Sequence, residues 1–212
     1  GVKPLFYALL PDGQCVFGSE LKAGLLHPGV TRTIDPCAVE EYFAVGYVAE
    51  PRTIFTCVRK LPPAHTLLLR RGVAPPAPRE FWDVRFTLDN RIGFEDAMAE
   101  LDRRLQDSIR LRMISEVPLG AFLSGGVDSS AVVAVMARIS DAPVNTCSIS
   151  FDDPAFDETR FAQLVAERYK TRHYVDQVAS DDFGLIDTLA GLYDEPYADS
   201  SAIPTYRVCQ LA

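Results

Sequence analysis

The feature that most constrains how this chain folds is a short turn rich in glycine and hydroxyl groups, at Leu123 to Ser130 (L-S-G-G-V-D-S-S). An apolar stretch at Val117 to Leu123 leads into the turn, and a second apolar stretch at Ser130 to Ala137 follows it. This pattern is typical of a buried strand that is joined to a buried helix. Five specified residues in the order S-G-G-x-D-S arise by chance at about one position in 10^6, at a usage of about 7% each. The turn therefore predicts a layered α/β domain.

The chemistry of this turn suits an anion. The first amides of a helix have no partner within the helix, and the helix dipole adds about half a positive charge there, so phosphate groups bind at such sites. Gly125 and Gly126 would let the main chain approach phosphate oxygens without a β-carbon clash. The hydroxyls of Ser124, Ser129 and Ser130 can donate further hydrogen bonds. We therefore expect a phosphate-binding loop.

Asp128 has a different predicted role. A carboxylate beside a polyphosphate is repelled unless a hard cation bridges the two groups, so Asp128 is predicted to be a Mg²⁺ ligand. The turn is neither G-x-x-x-x-G-K-[ST] nor G-x-G-x-x-G, which argues against a kinase, a GTPase or a dinucleotide enzyme. The alternative is a structural turn that its serines cap, in which Asp128 complements the helix dipole.

Strands and helices alternate in the second part of the chain, which predicts a parallel sheet. An amphipathic helix begins this part, with apolar residues at three- and four-residue spacing from Phe94 to Ile109. After the turn come predicted strands at Val144 to Phe151 and Arg172 to Val178, and predicted helices at Thr159 to Tyr169, Asp182 to Leu192 and Thr205 to Ala212.

The first part of the chain has a different pattern. Leu5 to Leu10 and Cys15 to Phe17 flank a Pro-Asp-Gly turn and predict a β-hairpin. Asp35 and Pro36 are typical of the start of a helix, which we expect to continue to Phe43. Further strands are predicted at Thr53 to Val58 and Thr66 to Leu69, followed by a proline-rich surface loop at residues 73–78.

Composition excludes several classes of function. Lys and Arg number 21 against 29 Asp and Glu, and the net charge of −8 argues against binding to nucleic acid or to an anionic membrane. The five cysteines are scattered without a C-x-x-C pair, so we expect no disulfide framework, no zinc site and a cytoplasmic location. No apolar run reaches the roughly 18 residues that span a bilayer. Because the chain starts without Met and stops within a predicted helix, we expect it to be a fragment.

Ser124 to Ser129 resembles the pyrophosphate loop of the ATP pyrophosphatase enzymes, and four further segments make the chain similar to asparagine synthases of the glutamine-hydrolysing type. These segments are Gly1 to Tyr7, Gly18 to Ala23, Val117 to Gly120 and Asp194 to Tyr206. Among variants, the chain most resembles the amidotransferase associated with bacterial exosortase and exopolysaccharide systems.

The resemblance implies two domains. Residues 1–88 would be the C-terminal part of a type 2 glutamine amidotransferase domain, an α+β sandwich of the N-terminal-nucleophile type. Residues 89–212 would be the N-terminal part of a parallel-sheet ATP pyrophosphatase domain, which is adenine nucleotide α-hydrolase-like. The family's nucleophilic cysteine and glutamine-binding residues precede the position of Gly1, and its second nucleotide loop follows that of Ala212. We therefore expect the fragment alone to be inactive.

The resemblance also implies a reaction. Glutamine supplies ammonia, and ATP with Mg²⁺ activates aspartate or another carboxylate as an acyl-adenylate before the amide forms and AMP leaves. The matching nucleotide-binding residues are Ser124, Gly125, Gly126, Val127, Asp128, Ser129 and Ser130, with Asp128 as the catalytic metal ligand. The main chain of Ile149 would contact adenine. Cys147 and Ser150 depart from the family pattern, which usually has an aromatic residue and a glycine at these positions.

Several alternatives remain open from the sequence. The chain could belong to a non-catalytic or ammonia-dependent nucleotide-binding relative, or to a β-lactam synthetase-like enzyme that forms an intramolecular amide. A homodimer is a candidate assembly. Asp194 and Glu195 could line the acceptor pocket or form a solvated turn. The three histidines have no nucleophile or acid at a recognisable spacing, so we expect them to be structural.

Overall fold

The structure is a computed structural model that describes residues 3–88, 91–151, 158–178 and 183–212. The chain divides into two compact units, Gly1–Thr87 with Ile186–Asp199, and Leu88–Leu185 with Ser200–Ala212. The segment 186–199 thus groups with the first unit although it comes late in the sequence. Predictions that involve Gly1, Val2, Asp89 and Asp182 lie outside the described residues. The division into domains at residues 88 and 89 stays a prediction.

The first unit contains the predicted hairpin. Strands β1 (Phe6–Leu9) and β2 (Cys15–Gly18) pair antiparallel, with Phe6 opposite Gly18. The Asp12 carboxylate accepts a hydrogen bond from the Gln14 amide at 3.0 Å, and Gly13 adopts a φ of 85° that glycine tolerates best. A third strand, β3 (Val58–Lys60), pairs with the other edge of β1.

Helix α2 of the first unit begins and ends at sequence signals. Helix α1 (Leu21–Gly24) is a single turn, and helix α2 is longer (Pro36–Val45). The Asp35 carboxylate accepts a hydrogen bond from the Cys37 amide at 3.0 Å, which confirms the predicted cap. Gly46 ends α2 in the left-handed conformation, so the helix continues to Val45 and is longer than predicted.

The strand predicted at Thr53 to Val58 is wrong in extent. The Thr53 hydroxyl is fully buried, accepts a hydrogen bond from the Phe55 amide at 3.1 Å and lies 3.1 Å from the Val58 carbonyl oxygen. These local bonds fold residues 54–57 into a turn, so the strand begins only at Val58.

The strand predicted at Thr66 to Leu69 is also too long. Strand β4 (His65–Thr66) pairs with β5 (Arg79–Glu80), and Thr66 lies opposite Arg79. The residue before Arg79 is Pro78, which has no amide hydrogen to continue the ladder. The proline-rich stretch at residues 73–78 is without helix or strand, as predicted.

One hydrophobic core serves the first unit. Leu21 and Ala38 bring the two helices onto the sheet, and both are almost completely buried. The other buried members are Phe6, Ala8, Leu10, Val30, Val48, Ile54 and Val58.

The second unit contains the predicted parallel sheet, in the order β6-β7-β8. Its strands are β6 (Gly120–Phe122), β7 (Asn145–Phe151) and β8 (Arg172–Val178). The strand predicted from Val117 is shorter than expected, because pairing with β7 begins at Gly120, just after Pro118. The strand predicted at residues 172–178 is confirmed without change.

The helices follow one another in the predicted order. They are α3 (Phe94–Arg112), α4 (Val127–Ile139), α5 (Thr159–Tyr169), α6 (Ile186–Leu192) and α7 (Ala202–Leu211), of which α6 belongs to the first unit. A 3₁₀ turn at Phe183–Leu185 precedes α6 within the predicted helix. Helix α4 starts before the predicted Ser130, so the glycine-rich turn is itself partly helical. Helix α7 likewise starts before the predicted Thr205.

Helix α4 lies between two small cores of the second unit. Val135 and Met136 pack with Ile109 of α3, whereas Val133 packs with Leu123 and with Ala162 of α5. Large apolar residues elsewhere on α3 and α5 are exposed, including Phe94, Leu101 and Phe161. Within the described ranges, no helix is both long enough and apolar enough to cross a membrane.

Candidate functional site

A cleft of about 230 Å³ opens where strands β6 and β7 end. Leu123 and Ser124 line it after β6, and Ser148 and Ile149 line it from β7. The cleft is completed by residues at the start of α5 and on α7, namely Glu158, Thr159, Pro204, Thr205 and Val208. Ligands of open parallel sheets bind in the crevice at the carboxyl ends of the strands, so the position of this cleft is typical of such a site.

The hydroxyl groups of the turn are bonded to each other and to its backbone. Ser124 Oγ accepts a hydrogen bond from the Gly126 amide at 3.3 Å and lies 3.0 Å from Ser129 Oγ. Ser129 Oγ also donates to the Gly126 carbonyl at 3.2 Å. These bonds hold the loop in shape between the end of β6 and the first turn of α4.

Gly125 is required by conformation and by close packing. Its φ is +82°, and a β-carbon there would lie 2.6 Å from Phe161 Cβ and 2.7 Å from the Ala162 nitrogen. The backbone of the loop therefore packs directly on the first turn of α5. Approach to phosphate was the reason predicted for this glycine, and the structure gives it a packing role in addition.

Gly126 is less closely packed than Gly125. The nearest atom to a β-carbon placed on this residue would be Ser124 Oγ at 3.4 Å, and the φ of −67° suits any residue. Among the described residues, no group thus explains glycine at this position. A group that approaches the backbone from outside the protein would explain it.

The start of helix α4 carries no side-chain cap. Its N-cap residue is Gly126, which has no side chain to accept a hydrogen bond from the first amides. The Val127 side chain is 84% exposed and leaves the helix end accessible. Among the described residues, no side chain thus caps the first amides of α4, and the positive end of the dipole suits an anion there.

Asp128 lies in the first turn of α4 with an exposed carboxylate. Among the described residues, no group of three or more acidic, histidine or cysteine residues that could hold a metal surrounds it. A single carboxylate beside an uncapped helix end fits Mg²⁺ that is bound mainly through substrate phosphates and water. It does not fit a cation held by protein ligands alone.

Ser130 differs from the other hydroxyl residues of the turn. Its Oγ is buried and has no hydrogen-bond partner in the part of the chain that the structure describes. It is not among the residues that line the cleft. The predicted role of Ser130 in binding phosphate stays a prediction.

Strand β7 supplies the opposite wall. Ser148 Oγ donates a hydrogen bond to the Leu123 carbonyl, which joins the end of β6 to β7. Cys147 lines the cleft beside Ile149, and burial raises the pKa of its thiol. The hydroxyl of Ser150, which departs from the family pattern, donates to the Asp176 carbonyl at 3.3 Å.

The structure thus brings two of the predicted residues, Ser124 and Ile149, to the cleft itself. The glycines and Asp128 lie on the adjoining loop and helix start. Glu158 and Thr159 line the cleft but were not predicted as site residues. Their place between a predicted strand and a predicted helix was a signal that could have indicated them. Residues of α7 lie in a segment that carried the family resemblance, but spacing alone could not place them beside the much earlier turn.

Asp194 and Glu195 do not form a solvated turn. The Asp194 side chain is 17% exposed and accepts hydrogen bonds from the amides of Leu21 and Lys22. The Glu195 side chain is 12% exposed and pairs with Lys60 at 2.6 Å. Both carboxylates are therefore engaged within the first unit.

Comparison with known families divides the chain into two parts. Residues 100–212 match the family described as asparagine synthase, and residues 1–82 match the glutamine amidotransferase domain. The asparagine synthase match contains the turn, the cleft and residues 186–199. The glutamine amidotransferase match contains the antiparallel sheet of β1, β2 and β3.

Curated relatives match along the whole chain. The putative asparagine synthetase [glutamine-hydrolyzing] 2 of Methanocaldococcus jannaschii is 36% identical over all of this chain and 41% of its own length. Asparagine synthetase [glutamine-hydrolyzing] 1 of Bacillus subtilis is 29% identical over all of this chain and 33% of its own length. A putative asparagine synthetase of Mycobacterium tuberculosis is 32% identical over all of this chain, again over 33% of its own length. The chain thus spans between a third and two fifths of these relatives.

Proposed function

The chain belongs to the asparagine synthase family, and from this premise we propose that it is part of a glutamine-dependent ligase that amidates a carboxylate at the expense of ATP. The proposed acceptor is aspartate or another carboxylate, and the proposed products are the amide, AMP and pyrophosphate. The names of the relatives support the glutamine and aspartate assignments. The open, uncapped start of α4 beside the cleft is the single observation that carries the ATP assignment.

In this proposal ATP binds with its phosphates at the turn. The amides that follow Gly126 would bind pyrophosphate, and the exposed Ser124 hydroxyl would donate to it. The main chain of Ile149 would contact adenine at the wall of the cleft. The space beside Gly126 supports this arrangement, because a phosphate needs close approach to the backbone there.

Asp128 would hold Mg²⁺ against the phosphate oxygens. The ion supplies charge neutralisation of the leaving pyrophosphate. The backbone donors of α4 would stabilise the same developing charge, so this part of the reaction needs no proton transfer from the protein.

The proposed chemistry has two steps. An oxygen of the acceptor carboxylate bonds to the α-phosphorus of ATP while the bond to pyrophosphate breaks, which yields the acyl-adenylate. Ammonia from glutamine then bonds to the acyl carbon, loses a proton and displaces AMP. The remaining predictions belong to the same proposal: an N-terminal-nucleophile glutaminase domain ending near residue 88, an ATP pyrophosphatase domain from residue 89, a cytoplasmic location and a homodimer.

A change at Asp128 tests the proposal in the full-length enzyme. Asp128→Asn removes the negative charge and should lower pyrophosphate release by about 100-fold, the lower end of losses for a group that stabilises transition-state charge. Asp141→Asn is the matched control, because Asp141 is exposed just beyond the other end of α4. An unchanged rate in Asp128→Asn would contradict the metal role.

Calorimetry of the wild type separates the alternatives. The ligase proposal is supported if titration with Mg²⁺ and ATP releases or absorbs heat and if pyrophosphate release depends on glutamine and aspartate. Heat without turnover would indicate the non-catalytic relative. Turnover that needs neither glutamine nor ammonia would indicate a β-lactam synthetase-like reaction.

A further inference from the structure

The cleft at the ends of β6 and β7 carries a single charge among the described residues that line it. That charge is the carboxylate of Glu158, and the other lining residues are apolar or uncharged polar. Glu158 is exposed, whereas Leu123, Cys147 and Ala162, which line the same cleft, are buried. The cleft therefore has an apolar interior and one acidic group that solvent reaches.

The Glu158 carboxylate is not engaged at the start of its own helix. Glu158 is the N-cap residue of α5, but its side chain makes no capping hydrogen bond. Its backbone carbonyl accepts hydrogen bonds from the amides of Phe161 at 2.9 Å and Ala162 at 3.3 Å. Within the described ranges, the carboxylate has no ion pair and no hydrogen bond. Its acceptor oxygens are therefore open to a ligand of the cleft.

The first turn of α5 has a fixed place beside the glycine-rich turn. A β-carbon on Gly125 would lie 2.6 Å from Phe161 Cβ and 2.7 Å from the Ala162 nitrogen, so the two backbones are in direct contact. Ala162 also packs with Leu123 in a buried cluster. Glu158 thus stands at the start of an element that packing holds against the site, as precise recognition requires.

A carboxylate in a cleft that binds ATP has to face hydrogen-bond donors. An ionised Glu is an acceptor only, and it repels the phosphate oxygens. ATP offers two kinds of donor, the amino group of adenine and the two hydroxyls of ribose. The buried apolar residues of the cleft suit the flat base, whereas the exposed Glu158 suits the sugar that joins the base to the phosphates. Dinucleotide-binding sheets use an Asp or Glu in this way, with a ribose hydroxyl as the donor.

We propose that Glu158 recognises the ribose of the nucleotide and makes the cleft selective for ribonucleotides over deoxyribonucleotides. The inference rests on the proposed function. The Glu158 carboxylate would accept hydrogen bonds from the ribose hydroxyls, and a deoxynucleotide would lack one of these donors. The alternative role for Glu158 is to complement the dipole of α5, which would affect stability and not the choice of nucleotide.

Deoxynucleotides test the proposal in the full-length enzyme. Calorimetry with Mg²⁺ gives the Kd of ATP, 2′-deoxyATP and 3′-deoxyATP, and pyrophosphate release gives kcat/KM for each. The wild type should bind ATP at least about tenfold more tightly than one or both analogues, the size expected for a hydrogen bond to a charged group. Glu158→Ala should lower this ratio to about one, through weaker binding of ATP and not through tighter binding of the analogue.

A second variant and two controls isolate the contact. If Glu158→Ala does not fold, the nearly isosteric Glu158→Gln replaces it and should lower the ratio to about threefold, because a neutral acceptor bonds more weakly. Glu167→Ala is the matched control and should keep the wild-type ratio, because Glu167 is exposed on the same helix but does not line the cleft. The ratio of ATP to ITP, which lacks the amino group of adenine, should not change in Glu158→Ala.

The outcomes separate this inference from the proposed function. Equal weakening of ATP and both analogues in Glu158→Ala would indicate a structural or metal-related role and would overturn the inference. A wild type that binds ATP and both analogues equally would also overturn it, as would a change confined to the ratio of ATP to ITP. Each of these results leaves the proposed function standing. A wild type that gives neither heat nor pyrophosphate with Mg²⁺ and ATP would overturn the proposed function and this inference with it.

Discussion

Two adjacent glycines of one motif differ in backbone conformation and in surroundings. Gly125 has a φ of +82° and packs against the backbone of α5, whereas Gly126 has an ordinary φ and open space beside it. In the sequence the two residues are equivalent. Only the position of α5 distinguishes the glycine that the fold requires from the glycine that a ligand would require.

Substitution by alanine should therefore affect stability at one glycine and ATP binding at the other. Gly125→Ala should lower the free energy of unfolding by about 2–4 kcal/mol, because it combines a left-handed backbone with overpacking against Phe161. Gly126→Ala should change stability by less than about 0.5 kcal/mol but weaken ATP binding. Denaturant unfolding and ATP titration measure the two effects. Equal destabilisation by both would contradict the assignment.

At the scale of elements, strands β7 and β8 share a buried polar contact. Thr146 is fully buried and lies opposite His173 in the parallel register. Thr146 Oγ1 is 2.9 Å from His173 Nδ1 and 2.8 Å from Thr171 Oγ1. Burial lowers the pKa of His173 below its usual range, although the hydrogen bond to Thr146 acts in the opposite direction.

Burial of His173 should make the second unit sensitive to acid. Because the pKa of His173 is lower in the folded chain, the unfolded chain binds the proton more readily, and stability falls as pH drops from about 6.5 toward the folded value. His173→Asn keeps a polar group near Thr146 but does not titrate. Its free energy of unfolding should vary less between about pH 7.5 and about pH 5.5 than that of the wild type. Identical pH slopes would contradict this account.

The start of helix α2 allows a test in the first unit. Asp35→Ala removes the acceptor of the Cys37 amide and should lower the free energy of unfolding by about 1 kcal/mol. Asp35→Asn is the control, because its side-chain oxygen can still accept that hydrogen bond. The cap would have no role if urea unfolding gave the same midpoint for the alanine variant and the wild type.

At the scale of the whole molecule, the two compact units differ in the type of β-sheet and in the number of hydrophobic cores. Among the described residues, the first has two antiparallel sheets and one core, and the second has a parallel sheet with two small cores around α4. The chain passes between the units more than once, because residues 186–199 return to the first unit. Division of the sequence into consecutive segments assigns residues 186–199 to the second part, since no local pattern marks Asp194 or Glu195 as partners of Leu21 and Lys60.

Local signals predicted the elements well where neighbouring residues decide them. Helix α5 and strand β8 have the predicted bounds, and Asp35 caps α2 as expected. The predictions were wrong where a competing hydrogen bond or a missing amide intervened. Hydrogen bonds of the Thr53 hydroxyl stabilise a turn within the strand predicted at residues 53–58. Pro78 has no amide hydrogen, so pairing of the strand predicted at residues 66–69 ends at Thr66.

The family and the strand-to-helix turn that contains Asp128 follow from the order of residues, because such a turn is built from neighbours along the chain. The walls of the cleft, the packing reason for Gly125 and the burial of Ser130 depend on where α5 and α7 lie. The attachment of Asp194 and Glu195 to the first unit depends on pairs that are 173 and 141 positions apart. Such pairs form because buried charges and amides must find partners, and only the folded chain brings those partners within bonding distance.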